Sequence, residues 1–236
     1  MSHELRGRVA AVCVGKVGEL DSSSRAIASA FVKRPVEGPV RVHGLGVEGD
    51  EHVYEGHGGE DAAVLVYSRD HYPFWRDLGV DIPDAGAFAE NLTVDGLTEA
   101  DVHIGDTFEL GSCTVQVSEP RSPCYKIAAR YGRKDISIVV QETGFTGYLM
   151  RVLQEGDVAA GDEMRLVERD TSHDWSVAEA GRVLNVDRND LDSARRLLEI
   201  EALSAGIKRS LDARIARREK LGLDLDRLYL SGQVET

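Results

Sequence analysis

The chain has 236 residues, 42% hydrophobic and 29% charged, with a formal net charge of −13, the composition of a soluble globular protein with one large domain or a medium one plus a small one. The acidic balance argues against nucleic acid and membrane surfaces as general partners. Three cysteines, odd in number and far apart, make no disulfide framework, so a cytoplasmic setting is expected.

The apolar run Val9-Ala10-Ala11-Val12-Cys13-Val14 is too short for a signal-peptide core or a membrane span. It reads as a first strand, ending at Gly15-Lys16-Val17-Gly18. A lysine between glycines either caps a turn in solvent or reaches a phosphate, since glycines let backbone amides approach an anion. Pro35, Gly38 and Pro39 put a turn between short strands over 36–42. The glycine-rich block from Gly44 to Asp61 has no periodicity, and a loop that long in a compact domain is usually functional. It matches neither GxGxxG before a helix nor GxxxxGKS, so the familiar nucleotide sites are not expected. Its His57-Gly58-Gly59 either places an imidazole and two amides around a ligand or is a plain turn.

Residues 62–67 form a buried-type strand, and 69–78 a short helix with Tyr72, Phe74 and Trp75 toward the core. An irregular stretch, 86–92, precedes a strand at 92–94. The pairs Gly105-Asp106 and Gly161-Asp162 are tight turns feeding alternating runs at 107–110 and 163–166. Residues 113–118 alternate as a half-buried strand. Next comes Glu119-Pro120-Arg121-Ser122-Pro123-Cys124-Tyr125-Lys126, whose prolines end the pairing and stiffen the turn. Cys124 is thereby held between Arg121 and Lys126, and the basic run continues through Arg130, Arg133 and Lys134 with no acid before Asp135. Cations around a thiol favour the thiolate, the form that attacks electrophiles and binds metals. Cys13 and Cys113 lie inside strand patterns and read as buried structural thiols. Helices are expected at 127–131 and 136–143, and 147–153 leads into the last turn. Many short strands and few long helices predict a mainly β fold, a closed or partly closed barrel.

The pattern changes near residue 170, which divides the chain into a barrel, 1–170, and a small all-α three-helix domain, 171–236. Ser176-Val177-Ala178-Glu179 is a capping-box pattern opening a helix with Val177, Ala180, Val183 and Leu184 on one face. A second helix is expected over 190–205, striped by Leu191, Ala194, Leu197 and Leu198. The third, over 207–221, presents Ile207, Leu211 and Ile215. Helices of this size bury too little alone and should pack on the barrel or on another copy. Three short helices also describe a helix-turn-helix module, but residues 171–236 carry 11 basic against 12 acidic side chains, not the basic face of a DNA reader.

Two other chemistries are open at Cys124. A zinc site would draw on His43, His52, His57 and Cys124, yet His52-x4-His57 is unlike the helical pair of zinc hydrolases and no second cysteine is near. A cysteine hydrolase would need a histidine base and an orienting amide, roles that His57 and Asn91 are placed to fill.

Several motifs together resemble the MOSC family, named for the carboxy-terminal domain of molybdenum cofactor sulfurase, and within it the bacterial subgroup with a three-helix tail linked to detoxification of N-hydroxylated purines. They are Val14-Gly15-Lys16, Lys33-Arg34-Pro35-Val36-Glu37-Gly38-Pro39-Val40, Gly44-Leu45-Gly46-Val47-Glu48-Gly49-Asp50, His57-Gly58-Gly59, Glu90-Asn91-Leu92-Thr93, Ile104-Gly105-Asp106, the stretch from Gln116 to Lys126, Arg151-Val152-Leu153 and Ala160-Gly161-Asp162. Their order covers the barrel almost end to end.

The resemblance implies a β-barrel holding a molybdenum cofactor (molybdopterin), with Cys124 as the thiolate ligand to the metal and the catalytic residue. A soft thiolate suits a metal that already carries dithiolene sulfurs. For the cofactor's phosphate and pterin it implies Lys16, Arg121 and Lys126 as the charges, with His57, Gly58, Gly59 and Asn91 lining the pocket. The expected activity is molybdenum-dependent reduction of a small N-hydroxylated substrate. An external electron-donating reductase is the implied partner, because no flavin, haem or iron–sulfur motif is present. Pyridoxal phosphate is not expected. A second reading makes the chain a sulfur (persulfide) or cofactor carrier without turnover. A third gives the tail an interaction role, a homodimer being its simplest form. One departure stands out: relatives often read Gly-Phe-Gly-Glu-Asn where this chain has Ala87-Phe88-Ala89-Glu90-Asn91. If position 89 needs φ > 0, the alanine adds strain.

Overall fold

The structure, a computed structural model, describes residues 5–21, 26–53 and 58–230. Seven strands close on themselves: β1 (Arg6–Val14), β2 (Val64–Ser68), β3 (Leu92–Asp95), β4 (Thr107–Leu110), β5 (Cys113–Pro120), β6 (Tyr148–Gln154) and β7 (Glu163–Glu168). Around the barrel they run β7-β4-β5-β6-β2-β3-β1, and β1 returns to β7 with Arg6 opposite Arg165. Closure leaves these strands no free edge. Along β5 the alternation expected from sequence holds, with Cys113, Val115 and Val117 buried and Thr114 and Gln116 half-buried. The register shifts between Val117 and Glu119, and this bulge re-aims the strand's last residues.

All neighbours are antiparallel except β2 and β3, which pair in parallel with Val66 opposite Leu92. A parallel pair needs a crossover. Residues 69–91 supply it, through a 3-10 turn, Arg69–His71, and helix α1, Tyr72–Asp77. Tyr72 and Trp75 are fully buried as expected, but Phe74 is 38% exposed and lies edge-on to Trp75 and Phe145. On a helix of six residues only one narrow face reaches the core. Helices α2 (Tyr125–Tyr131) and α3 (Ile136–Thr143) cover a second apolar cluster built on Tyr67, Tyr72, Trp75 and Phe88.

The segment leading toward the last turn is a strand over most of its length: Tyr148–Gln154 form β6, hydrogen-bonded between β5 and β2 in the barrel wall. The tail starts as expected: α4 (Val177–Asn185) opens on a complete capping box between Ser176 and Glu179. Its expected apolar face, Val177, Ala180, Val183 and Leu184, is buried. The second helix is shorter than its stripe suggested. After α5 (Leu191–Leu198) the backbone tightens, with Ile200 and Leu203 donating to carbonyls three residues back, and α6 (Ala205–Leu230) begins afresh. Ile200 and Leu203 stay buried through that turn, so the apolar pattern outlasts the helix. Tail residues Trp175, Leu197, Leu211 and Ile215 share one apolar cluster with the barrel residues Phe108, Val115 and Val117. Among the described residues no helix is long and apolar enough to cross a membrane.

Candidate functional site

The β5 ladder ends where Pro120 faces Tyr148, and Arg121 then donates its backbone N–H to the Gly147 carbonyl. Proline lacks an N–H and cannot extend the pairing, so the chain leaves the barrel wall here. Cys124 is the extended residue just ahead of α2, at φ −130° and ψ 159°. Its carbonyl accepts from the Ser137 hydroxyl and the Ile127 N–H, while the Ser122 hydroxyl donates to Asn185 on α4. These bonds fix the backbone on either side of the Cys124 side chain.

Beside it lies a cavity of about 500 Å³. Its lining includes Cys124 and the cations Lys33, Arg121 and Lys126, together with the apolar side chains Phe31, Leu65, Leu149 and Ile207. Arg121 is 8% exposed and Lys126 9%. Among the described residues neither is paired with a carboxylate, and Nη1 of Arg121 is sealed from solvent without a hydrogen-bond acceptor. A buried unpaired charge costs several kcal/mol. Both residues line the one cavity, which gives it a positive character suited to an anion. Lys33 differs, because its Nζ lies 2.5 Å from Asp50 Oδ2. Burial lowers the Lys33 pKa, and Asp50 opposes that shift.

Asn91 is 3% exposed and absent from the cavity lining. Its amide donates to Asp50 Oδ2 at 2.9 Å, and its oxygen accepts from Leu65 N–H at 3.1 Å. Asp50 also accepts from Gly15 N–H, so Asn91 and Asp50 together buttress Lys33 from behind. Lys16 points outward and pairs with Glu51 at 3.0 Å. Gly58 lines the cavity at φ +113°, where a Cβ would sit 3.3 Å from the His52 ring. Gly59, at φ +95°, caps the 3-10 turn Glu60–Ala62. His57 lies outside the described residues, and with it the histidine proposed for a hydrolase.

Two charged lining residues, Lys33 and Glu119, had no role expected from sequence, and His52, weighed there only as a zinc ligand, lines the cavity with them. Each sat inside a quoted motif or glycine-rich block, but nothing in the spacing marked its side chain. Glu119 Oε2 accepts the Ser204 hydroxyl from the turn before α6, which leaves Oε1 without a partner among the described residues. Burial pushes the Glu119 carboxyl above its usual range, the Ser204 hydrogen bond opposing. Burial also lowers the His52 pKa. The two remaining cysteines are chemically quiet: burial raises Cys13 to about 12 and Cys113 to about 11.

Among the described residues no three His, Cys, Asp or Glu side chains converge to hold a metal ion. A larger hollow of about 720 Å³ lies between barrel and tail. Its arginines are answered, Arg151 by Asp61 and Arg169 by Asp106, each at 2.7 Å, so it lacks the uncompensated charge found beside Cys124.

Comparison with known proteins adds two family matches. A model described as "MOSC domain" matches residues 53–165, and one described as "YiiM-like, 3-alpha helix domain" matches residues 175–218. The chain is 40% identical over 200 residues to the uncharacterized protein YflK of Bacillus subtilis, covering 84% of this chain and 90% of that one. It is 38% identical over 201 residues to protein YiiM of Escherichia coli, covering 84% and 89%. A protein of Gibberella moniliformis named "Reductase" is 40% identical over 178 residues, 72% of this chain but 32% of the fungal protein. The crystal structure of YiiM from Geobacillus stearothermophilus superposes with a TM-score of 0.75 at 32% identity, covering 89% of this chain and 99% of that one.

Proposed function

This chain belongs to the MOSC family, in the branch carrying the YiiM-like three-helix domain, and from that premise we propose that it is a molybdenum-cofactor-dependent reductase of N-hydroxylated bases. MOSC domains are associated in general with binding of the molybdenum cofactor. The observation that carries the reading is the pair of cations, Arg121 and Lys126, which line the cavity with Cys124, have little exposed surface and, among the described residues, no carboxylate partner. Because the described side chains form no metal cluster of their own, a metal bound here must bring most of its ligands with it. A pterin dithiolene would bring two sulfur ligands, to which Cys124 would add a protein thiolate.

In this reading Arg121 and Lys126 would hold the cofactor's phosphate and Cys124 would ligate its molybdenum, while Lys33, neutralised by Asp50, lines the same cavity. When bound, the cofactor supplies two-electron oxygen-atom acceptance. Reducing an N–OH group to an amine consumes two electrons and two protons and releases water. Glu119 is the cavity acid that burial keeps protonated to higher pH, so its free Oε1 is where a proton can be held for that step. The apolar lining keeps bulk water away from the N–O bond. Electrons come from a separate reductase. Protein from a host that makes the cofactor should reduce 6-hydroxylaminopurine with an artificial electron donor, and Cys124→Ser should not. Equal turnover by the two would remove Cys124 from the mechanism. A persulfide on Cys124 in a molybdenum-free, inactive protein would favour the carrier reading.

A further inference from the structure

The tail does more than cover the barrel: Gly206 and Ile207, in the first turn of α6, both line the Cys124 cavity. Ile207 is half-buried and Gly206 is exposed, so the turn stands at the cavity mouth. It is fixed there by three ties. Ser204 N–H donates to the Ser118 carbonyl at 3.0 Å, the Ser204 hydroxyl to Glu119, and Ala205 N–H to Asp61 Oδ2 at 2.9 Å. The first two partners lie on β5, the strand that leads into Cys124.

Gly206 has no need to be glycine on the protein's own account. Its φ is not positive, and a Cβ there would meet nothing nearer than Ser204 Oγ at 3.9 Å. Within a helix, glycine is roughly 0.5–1 kcal/mol worse than alanine. The space beside it is open toward the cavity, and Ile207 next to it is apolar. An aromatic base has a flat apolar face and polar edges, which matches a mouth with Ile207 on one side and cations within.

We propose that the first turn of α6 is the substrate-selecting lip of the Cys124 cavity, with Gly206 leaving the width a bicyclic base needs and Ile207 contacting its face. This rests on the reductase reading for the identity of the substrate, but the lip itself can be tested without it. In cofactor-free protein, Gly206→Leu should slow labelling of Cys124 by N-(1-pyrenyl)maleimide roughly tenfold, while methyl methanethiosulfonate reacts as in wild type, with Cys124→Ser as the blank. In cofactor-loaded protein the same variant should raise KM for 6-hydroxylaminopurine roughly tenfold or more, leaving molybdenum content and reduction of free hydroxylamine unchanged. Gly206→Ala should be no less stable than wild type. Unchanged pyrenyl labelling overturns the lip, whatever the enzyme does. Changed labelling with equal loss on both substrates and loss of molybdenum also overturns it, since the turn would then bound the cofactor. Selective labelling in a protein that reduces neither compound upholds the lip and overturns the reductase reading alone.

Discussion

A guanidinium that is 8% exposed with a sealed, acceptorless Nη1 is a liability for folding unless something else requires it. Arg121→Met should therefore stabilise the cofactor-free protein by about 1–3 kcal/mol, since a buried charge is replaced by an apolar group of similar length. The same variant should lose its cofactor. Denaturant titration of cofactor-free protein reads the first effect. If Arg121→Met unfolds earlier than wild type, Arg121 is structural after all. Glu119 gives a pH test. Its folded pKa is raised above the ordinary value of 4.5, so its contribution is fully present below that value and is lost as pH rises through the raised one. Glu119→Gln should match wild type near pH 4 and exceed its stability at pH 7. An advantage confined to acid pH would reverse the assignment. Ala89 is the one non-glycine described residue at positive φ, at 66°, the strain its departure from the family pattern foretold. Ala89→Gly should stabilise by roughly 0.5–1 kcal/mol, because a left-handed Cβ costs about 1–2 kcal/mol and the added chain freedom returns part of that. A loss would mean that the Ala89 methyl, packed on the aromatic cluster, outweighs the backbone.

At the scale of elements, the barrel was legible because its strands alternate or run apolar between glycine and proline punctuation. Strand β6 is not marked as a strand by its own sequence, because its buried residues Tyr148 and Met150 are fixed by pairing with β2 and β5. The site was legible only where charge and chain stiffness mark a position: Cys124, Arg121 and Lys126. Asn91 carries a family motif yet acts behind the wall, and a sequence does not say which side of a loop an amide faces. Its partnership with Asp50 and Lys33 makes a prediction. Asp50→Ala leaves the Lys33 ammonium buried and unpaired, removes the acceptor of the Gly15 N–H, and leaves the Asn91 amide only its longer hydrogen bond to the Cys13 carbonyl. The expected cost is about 3–5 kcal/mol, and Lys33→Met added to it should recover part. Failure to recover would place the damage in the Gly15 and Asn91 contacts instead.

Across the whole molecule, the division at residue 170 follows a change of pattern, but the apolar cluster runs through it, from Phe108 and Val115 to Leu197 and Leu211. A core shared in this way should melt as one unit. Far-UV circular dichroism, dominated by helix, and near-UV signals from the barrel's aromatic cluster should give coincident transitions. Separated midpoints would make the tail an independent domain.

What the cations and the thiol hold decides between an enzyme and an empty barrel. Molybdenum per chain, measured on wild type, Cys124→Ser and Arg121→Met purified in parallel from a host that makes the cofactor, is the most direct test. It should approach one for wild type and fall several-fold in both variants while their folds remain intact. A wild type devoid of molybdenum, or one whose content neither substitution alters, would contradict the account.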